Sequence, residues 1–106
     1  MVKENGRLKV VRLDEIGWIE AWRDYVRLHC EGKTHIIHHT IGDLEARLDS
    51  HQFIRIGRSI IVNVDRISEL EPLNHGDFLV VLKDNTQLNF SRHYRDRLSS
   101  MFGYRA

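Results

Sequence analysis

Proline is almost missing from this chain: Pro72 is the only one in 106 residues, and Cys30 is the only cysteine. A single cysteine excludes an internal disulfide and fits a reducing, cytoplasmic home. The seven glycines are scattered at turns, so there is neither a glycine-rich phosphate loop nor a collagen-like period. Long apolar runs are missing too. Runs such as Ile60-Ile61-Val62 fall far short of the roughly 18 to 20 residues that span a bilayer. Met1 to Gly6 leads straight into Arg7-Leu8-Lys9, so no basic head precedes an apolar stretch and no secretory signal is expected. Nor is there an excess of charge, since sixteen basic side chains face fifteen acidic ones.

What is present points to a folded domain rich in strands. The chain is 42% apolar and 29% charged, which excludes a disordered segment, and its length suits one domain. Eight Val, ten Ile and three Thr stand against three Ala. Side chains branched at Cβ sit better on a pleated sheet than on a helix.

The periodicity predicts short strands at Leu8–Leu13, Trp18–Trp22, Tyr25–Cys30 and Thr34–His38, with Asp14 capping a single turn after the first. Val26, Leu28 and Cys30 share one face of the third. Thr40, with Asp43 three positions later, opens a short helix striped by Ile41, Leu44 and Leu48. Strands Phe53–Ile56 and Ile60–Val64 follow, separated by Gly57-Arg58-Ser59, then Ile67–Leu70, Phe78–Leu82 and Gln87–Phe90. Turns are expected at Asn74–Asp77 and Asp84-Asn85. Ser91 is expected to cap a final helix lined by Tyr94, Leu98 and Met101 and stopped by Gly103. Asn63, flanked by two valines that point the other way, is expected to bond backbone.

Twelve of the sixteen basic residues are Arg, the side chain suited to forked contacts with phosphate or guanine. Arg23-Asp24, Gly57-Arg58-Ser59 and Ser91-Arg92-His93 place Arg where strands end, which is where rigid scaffolds carry binding groups. The stretch from Ser91 onward has four Arg against one Asp, with Arg92, Arg95 and Arg97 inside six residues.

Other chemistries find less support. His35, His38 and His39 lie close in sequence, with His29 on the adjoining strand. Neighbours on a strand face opposite ways, and no Cys-x-x-Cys accompanies them, so no metal is expected. Cys30 and His29 also point apart, which argues against a catalytic dyad. No cofactor is expected.

The runs Ile19-Glu20-Ala21, Asp24-Tyr25-Val26, Leu44 to Leu48, Phe53-Ile54-Arg55-Ile56-Gly57-Arg58-Ser59-Ile60-Ile61-Val62-Asn63-Val64-Asp65-Arg66-Ile67 and Leu88-Asn89-Phe90-Ser91-Arg92-His93-Tyr94 together resemble LytTR-type DNA-binding domains, the LytR/AlgR family. The resemblance covers Leu8 to Phe102, and the block from Phe53 to Ile67 is its specific part. It implies a mainly β, elongated domain of small antiparallel sheets, with one short internal helix and a C-terminal helix. It sets the domain at residues 8–103, after a short N-terminal extension of residues 1–7.

It also implies a bacterial transcription regulator, either with a receiver or sensor domain outside this sequence or as a stand-alone binder controlled from elsewhere. Such a regulator binds imperfect direct repeats in double-stranded promoter DNA, beside a second copy of itself. Loops rather than a recognition helix enter the major grooves. Arg58 and Arg92 match the base-reading positions, and Arg23 and Asp24 fall in the first loop, which varies among members. Ser59, His93 and Arg95 suit phosphate oxygens. Members often carry His before the Arg-Ser pair; Gly57 stands here, which implies a looser turn. The competing reading is a small β module that binds peptide by adding a strand at a sheet edge.

Overall fold

The computed structural model describes residues 2–4 and 6–102. It holds three antiparallel sheets. A hairpin pairs β1 (Val2–Glu4) with β2 (Arg7–Lys9). A five-stranded sheet holds β3 (Ile16–Trp22), β4 (Tyr25–Cys30), β5 (Lys33–Ile37), β6 (Phe53–Gly57) and β7 (Ile60–Asn63) in spatial order β5-β4-β3-β7-β6. A three-stranded sheet orders β8 (Ile67–Pro72), β9 (Phe78–Leu82) and β10 (Gln87–Phe90) as β10-β9-β8. Helix α1 (Ile41–Arg47) joins β5 to β6, and α2 (Asp96–Phe102) follows the last strand. The described molecule measures 47 × 24 × 22 Å, so the elongated, mainly β expectation holds.

The period of two along β6 and β7 decides which core each residue joins. Phe53 and Ile61 turn toward α1, with Ile19, Val26 and Leu28 from the neighbouring strands. Ile54, Ile56 and Val62 turn the other way, onto Phe78, Val80 and Phe90 of the small sheet and Leu98 of α2. Strands β6 and β7 are therefore covered on both faces. Each apolar side chain so buried contributes about 1.5–3 kcal/mol.

Thr40 caps α1 as its position predicted, its Oγ1 accepting the Asp43 amide at 3.1 Å. Asn63 also behaves as read. It is 1% exposed, its Nδ2 donates to the Ile16 carbonyl at 2.8 Å, and its Oδ1 accepts the Asp65 amide at 3.0 Å.

Five expectations on local structure need correction. The first strand stops at Lys9, and Val10 lies 75% exposed, because the chain leaves its hairpin partner there. Asp14 sits inside the 3-10 turn Leu13–Glu15 rather than capping it, and takes the Arg12 guanidinium instead. Val64 is not in a strand: the Asn63 side chain captures the Asp65 amide and winds Val64–Arg66 into a 3-10 turn. The final helix begins late, since Ser91 caps a separate 3-10 turn, Arg92–Tyr94, and α2 opens only at Asp96. Its expected stop, Gly103, lies outside the described residues. Strand β5 ends at Ile37, so His38 and His39 lie beyond it, and His39 Nδ1 meets Asp43 Oδ2 at 2.9 Å.

Candidate nucleic-acid interface

The strand register sets the Arg-bearing turns in a row, at the same ends of neighbouring strands. Trp22 pairs with Tyr25, leaving Arg23-Asp24 as a two-residue hairpin tip. Gly57 pairs with Ile60, leaving Arg58-Ser59 as another. Strands β3 and β7 run antiparallel with Glu20 opposite Ile60, so the two tips lie side by side, and the Ala21 amide donates to the Ser59 carbonyl at 2.8 Å. On the far side the Ser91 amide donates to the Ile56 carbonyl, also at 2.8 Å, which sets Ser91-Arg92 against the Arg58 turn. Main-chain bonds thus link three connections that lie far apart in sequence.

All seven residues singled out from the sequence, Arg23, Asp24, Arg58, Ser59, Arg92, His93 and Arg95, are exposed. The Arg58 guanidinium makes no hydrogen bond or ion pair with a described residue. Arg23 has a φ of 57°, the left-handed region that costs an L-residue roughly 1–2 kcal/mol. Its guanidinium lies 5.2 Å from the Trp22 ring centre, and that of Arg27 lies 4.9 Å from the same ring. Trp22, 46% exposed, thereby has two cations against its ring.

Arg92 has the anionic neighbour that a cation at the start of a helical turn requires. Asp77 Oδ1 accepts the Arg92 amide at 2.8 Å, and Asn89 Nδ2 donates to Oδ2 at 3.4 Å. The Arg92 amide bond, then the Asn89 side chain and the charges of Arg92 and His93, hold the Asp77 carboxyl below its ordinary value. The turn Asn74–Gly76 closes against the same residues, with Arg92 Nη1 at 3.5 Å from the His75 carbonyl. Gly76 has a φ of 87°, and a Cβ there would lie 3.2 Å from Arg95 Nη1. Only glycine keeps both that backbone and that approach.

Sequence reasoning missed this supporting layer. The sequence pattern marks His75 and Asp77 only as a turn, and Arg55 only as a strand residue. Arg55 in fact donates from Nη2 to the Arg58 carbonyl at 2.6 Å and from Nε to the Gly57 carbonyl at 3.2 Å. A hydrogen-bonding side chain two residues before the turn is the one local signal that could have found it.

Elsewhere the chemistry is sparser. Among the described residues no group of three or more His, Cys, Asp or Glu could hold a metal ion. Burial, and then Glu15, push the Cys30 thiol up, away from the thiolate a nucleophile needs. The free edge of β8 carries Glu69 and Glu71 and ends on Pro72, features that discourage an added strand. No described helix is long and apolar enough to cross a membrane.

Comparison with known proteins gives a consistent result. The sequence profile of the LytTr DNA-binding domain matches residues 6–103. The chain is 25% identical over 92 residues to the sensory transduction protein LytT of Bacillus anthracis, a stretch covering 87% of this chain and 37% of that one. It is 30% identical over 77 residues to the protein of the same description from Bacillus subtilis strain 168, covering 69% and 32%. The chain therefore spans about a third of the length of these relatives. Among solved structures it superposes on a LytTr DNA-binding domain from Bacillus cereus with a TM-score of 0.87. That match covers 97% of this chain and 94% of the other at 24% identity, a likeness of fold.

Proposed function

We propose, since the chain belongs to the LytTr DNA-binding domain family, that it is the sequence-specific DNA-binding domain of a bacterial transcription regulator and reads the major groove with arginines on its connecting turns. The observation that carries this reading is the row of turns bearing Arg23, Arg58 and Arg92, each exposed and each turn linked to the next by a main-chain hydrogen bond. A guanidinium fork matches the adjacent O6 and N7 acceptors of guanine, and such a pair discriminates by about 1–3 kcal/mol. Arg58 and Arg92 take the base-reading role. Ser59, His93 and Arg95 take phosphate oxygens, which fix register without reading sequence. Arg23 and Asp24 contact DNA from the first tip, where the strained backbone of Arg23 is the kind of outlier that marks functional turns.

The target is an imperfect direct repeat in promoter DNA, bound with a second copy of the chain. The DNA-binding unit is residues 8–103, and a receiver or sensor domain lies outside the sequence, in keeping with the greater length of the LytT relatives.

Selection of duplexes from random sequence, followed by fluorescence anisotropy across a salt series, tests the proposal. A preferred sequence should emerge, and log K should fall with log salt by roughly 0.9 per phosphate contact. Absence of sequence preference together with a flat salt response would end it.

A further inference from the structure

The Arg58 turn is fastened from behind by a cluster of charged side chains on three separate elements. We propose that Arg55, clamped by Glu45, is a positioning residue that holds the Arg58 turn in its reading conformation, an inference that rests on the base-reading role of Arg58. Arg55 is an edge-strand residue whose side chain is 17% exposed. One guanidinium accounts for both carbonyls that enter the turn: Nε donates to Gly57 O at 3.2 Å and Nη2 to Arg58 O at 2.6 Å. A two-residue tip has little main-chain bonding of its own. Gly57 adds freedom, since a Cβ there would meet nothing within 4 Å and nothing in the packing demands glycine. The fork of Arg55 replaces the restraint that this glycine gives away.

The fork is itself held. Glu45 on α1 receives Arg55 Nη1 on Oε1 at 3.1 Å and Arg97 Nη2 on Oε2 at 3.4 Å, so one carboxylate separates two like charges. Arg97 Nη1 returns to the Arg55 carbonyl at 3.2 Å. Both guanidinium groups lie over the Tyr94 ring, at 4.8 Å for Arg97 and 5.9 Å for Arg55. Tyr94 belongs to the same 3-10 turn as Arg92. The cluster therefore links the two reading turns through side chains as well as through the Ser91 amide.

Positioning and plain fold support make different predictions. In anisotropy titrations with a selected duplex and a scrambled one, Arg55→Gln should weaken the selected duplex roughly tenfold, the scale of one charge-assisted hydrogen bond, and leave the scrambled one within about twofold. In an Arg58→Ala background the same substitution should cost nothing further. Glu45→Gln should also weaken the selected duplex, although it removes a negative charge and would tighten DNA binding on electrostatics alone. Should Arg55→Gln fail to fold, Arg55→Lys keeps the charge, lacks the fork and should show the same loss. Additive losses beside an intact Arg58→Ala effect, or uniform tightening by Glu45→Gln, would overturn the positioning role alone. Undiminished binding by Arg58→Ala would overturn the base-reading role and this inference together.

Discussion

Arg58 and Arg92 are exposed in different settings, and their substitutions should affect different base pairs. Arg58 has no partner among the described side chains, so Arg58→Ala removes a group the fold does not use. It should weaken a selected duplex by about 1–3 kcal/mol, barely change non-specific binding, and relax preference at one base pair. Arg92→Ala should do the same at a different base pair; equal losses on selected and random duplexes would make either residue a phosphate contact. Asp77 supplies a prediction in pH. Its folded-state carboxyl is held below its ordinary value, so its stabilising effect is present above that value and lost as pH falls through the lower, folded one. Asp77→Asn keeps an acceptor for the Arg92 amide but no longer titrates. Followed by circular dichroism below about pH 4, its stability should fall less steeply with acid than that of the unsubstituted chain. Asp49 and Asp84 are also held low by neighbouring amides and add to the slope that remains.

Elements whose signal is local were legible. The alternation of Tyr25–Cys30, the Thr40 cap and the Asp84-Asn85 turn each announce themselves within a few residues. Bounds failed where a distant or competing hydrogen bond decided the backbone. The branched run through Val64 reads as strand, yet Asn63 diverts it, and the same side chain crosses 47 positions to the Ile16 carbonyl. Asn63→Ala should accordingly destabilise the domain by roughly 2–4 kcal/mol in urea unfolding, because the buried Ile16 carbonyl and the part-buried Asp65 amide lose their partner. A loss under about 1 kcal/mol would show that water replaces it. The late start of α2 has a similar cause: Ser91 and Arg92 give their amides to Ile56 and Asp77, elements that no local pattern connects to them. Within the candidate site the exposed arginines could be read, whereas Glu45 and Arg97, which sit 10 and 42 positions from Arg55, could not.

At the scale of the whole molecule, the sheets act as a frame between the turns. Strand β3 carries the first tip and bonds the second at Ser59, and β6 passes from the second tip to the amide that anchors the third. The interval between Arg58 and Arg92 is thus fixed by backbone before any duplex arrives. Inserting one base pair between the two recognised positions should weaken binding as much as losing one of the bases. Equal affinity for the two spacings would mean that the turns swing independently.

The bond from the Ala21 amide to the Ser59 carbonyl has a consequence for how such a domain could change its preference through mutation. Because that bond uses only peptide atoms, side chains at the two tips can be exchanged without releasing it. New binding sequences are open to the protein through substitution at its fingertips, while the distance between those fingertips is inherited almost unchanged.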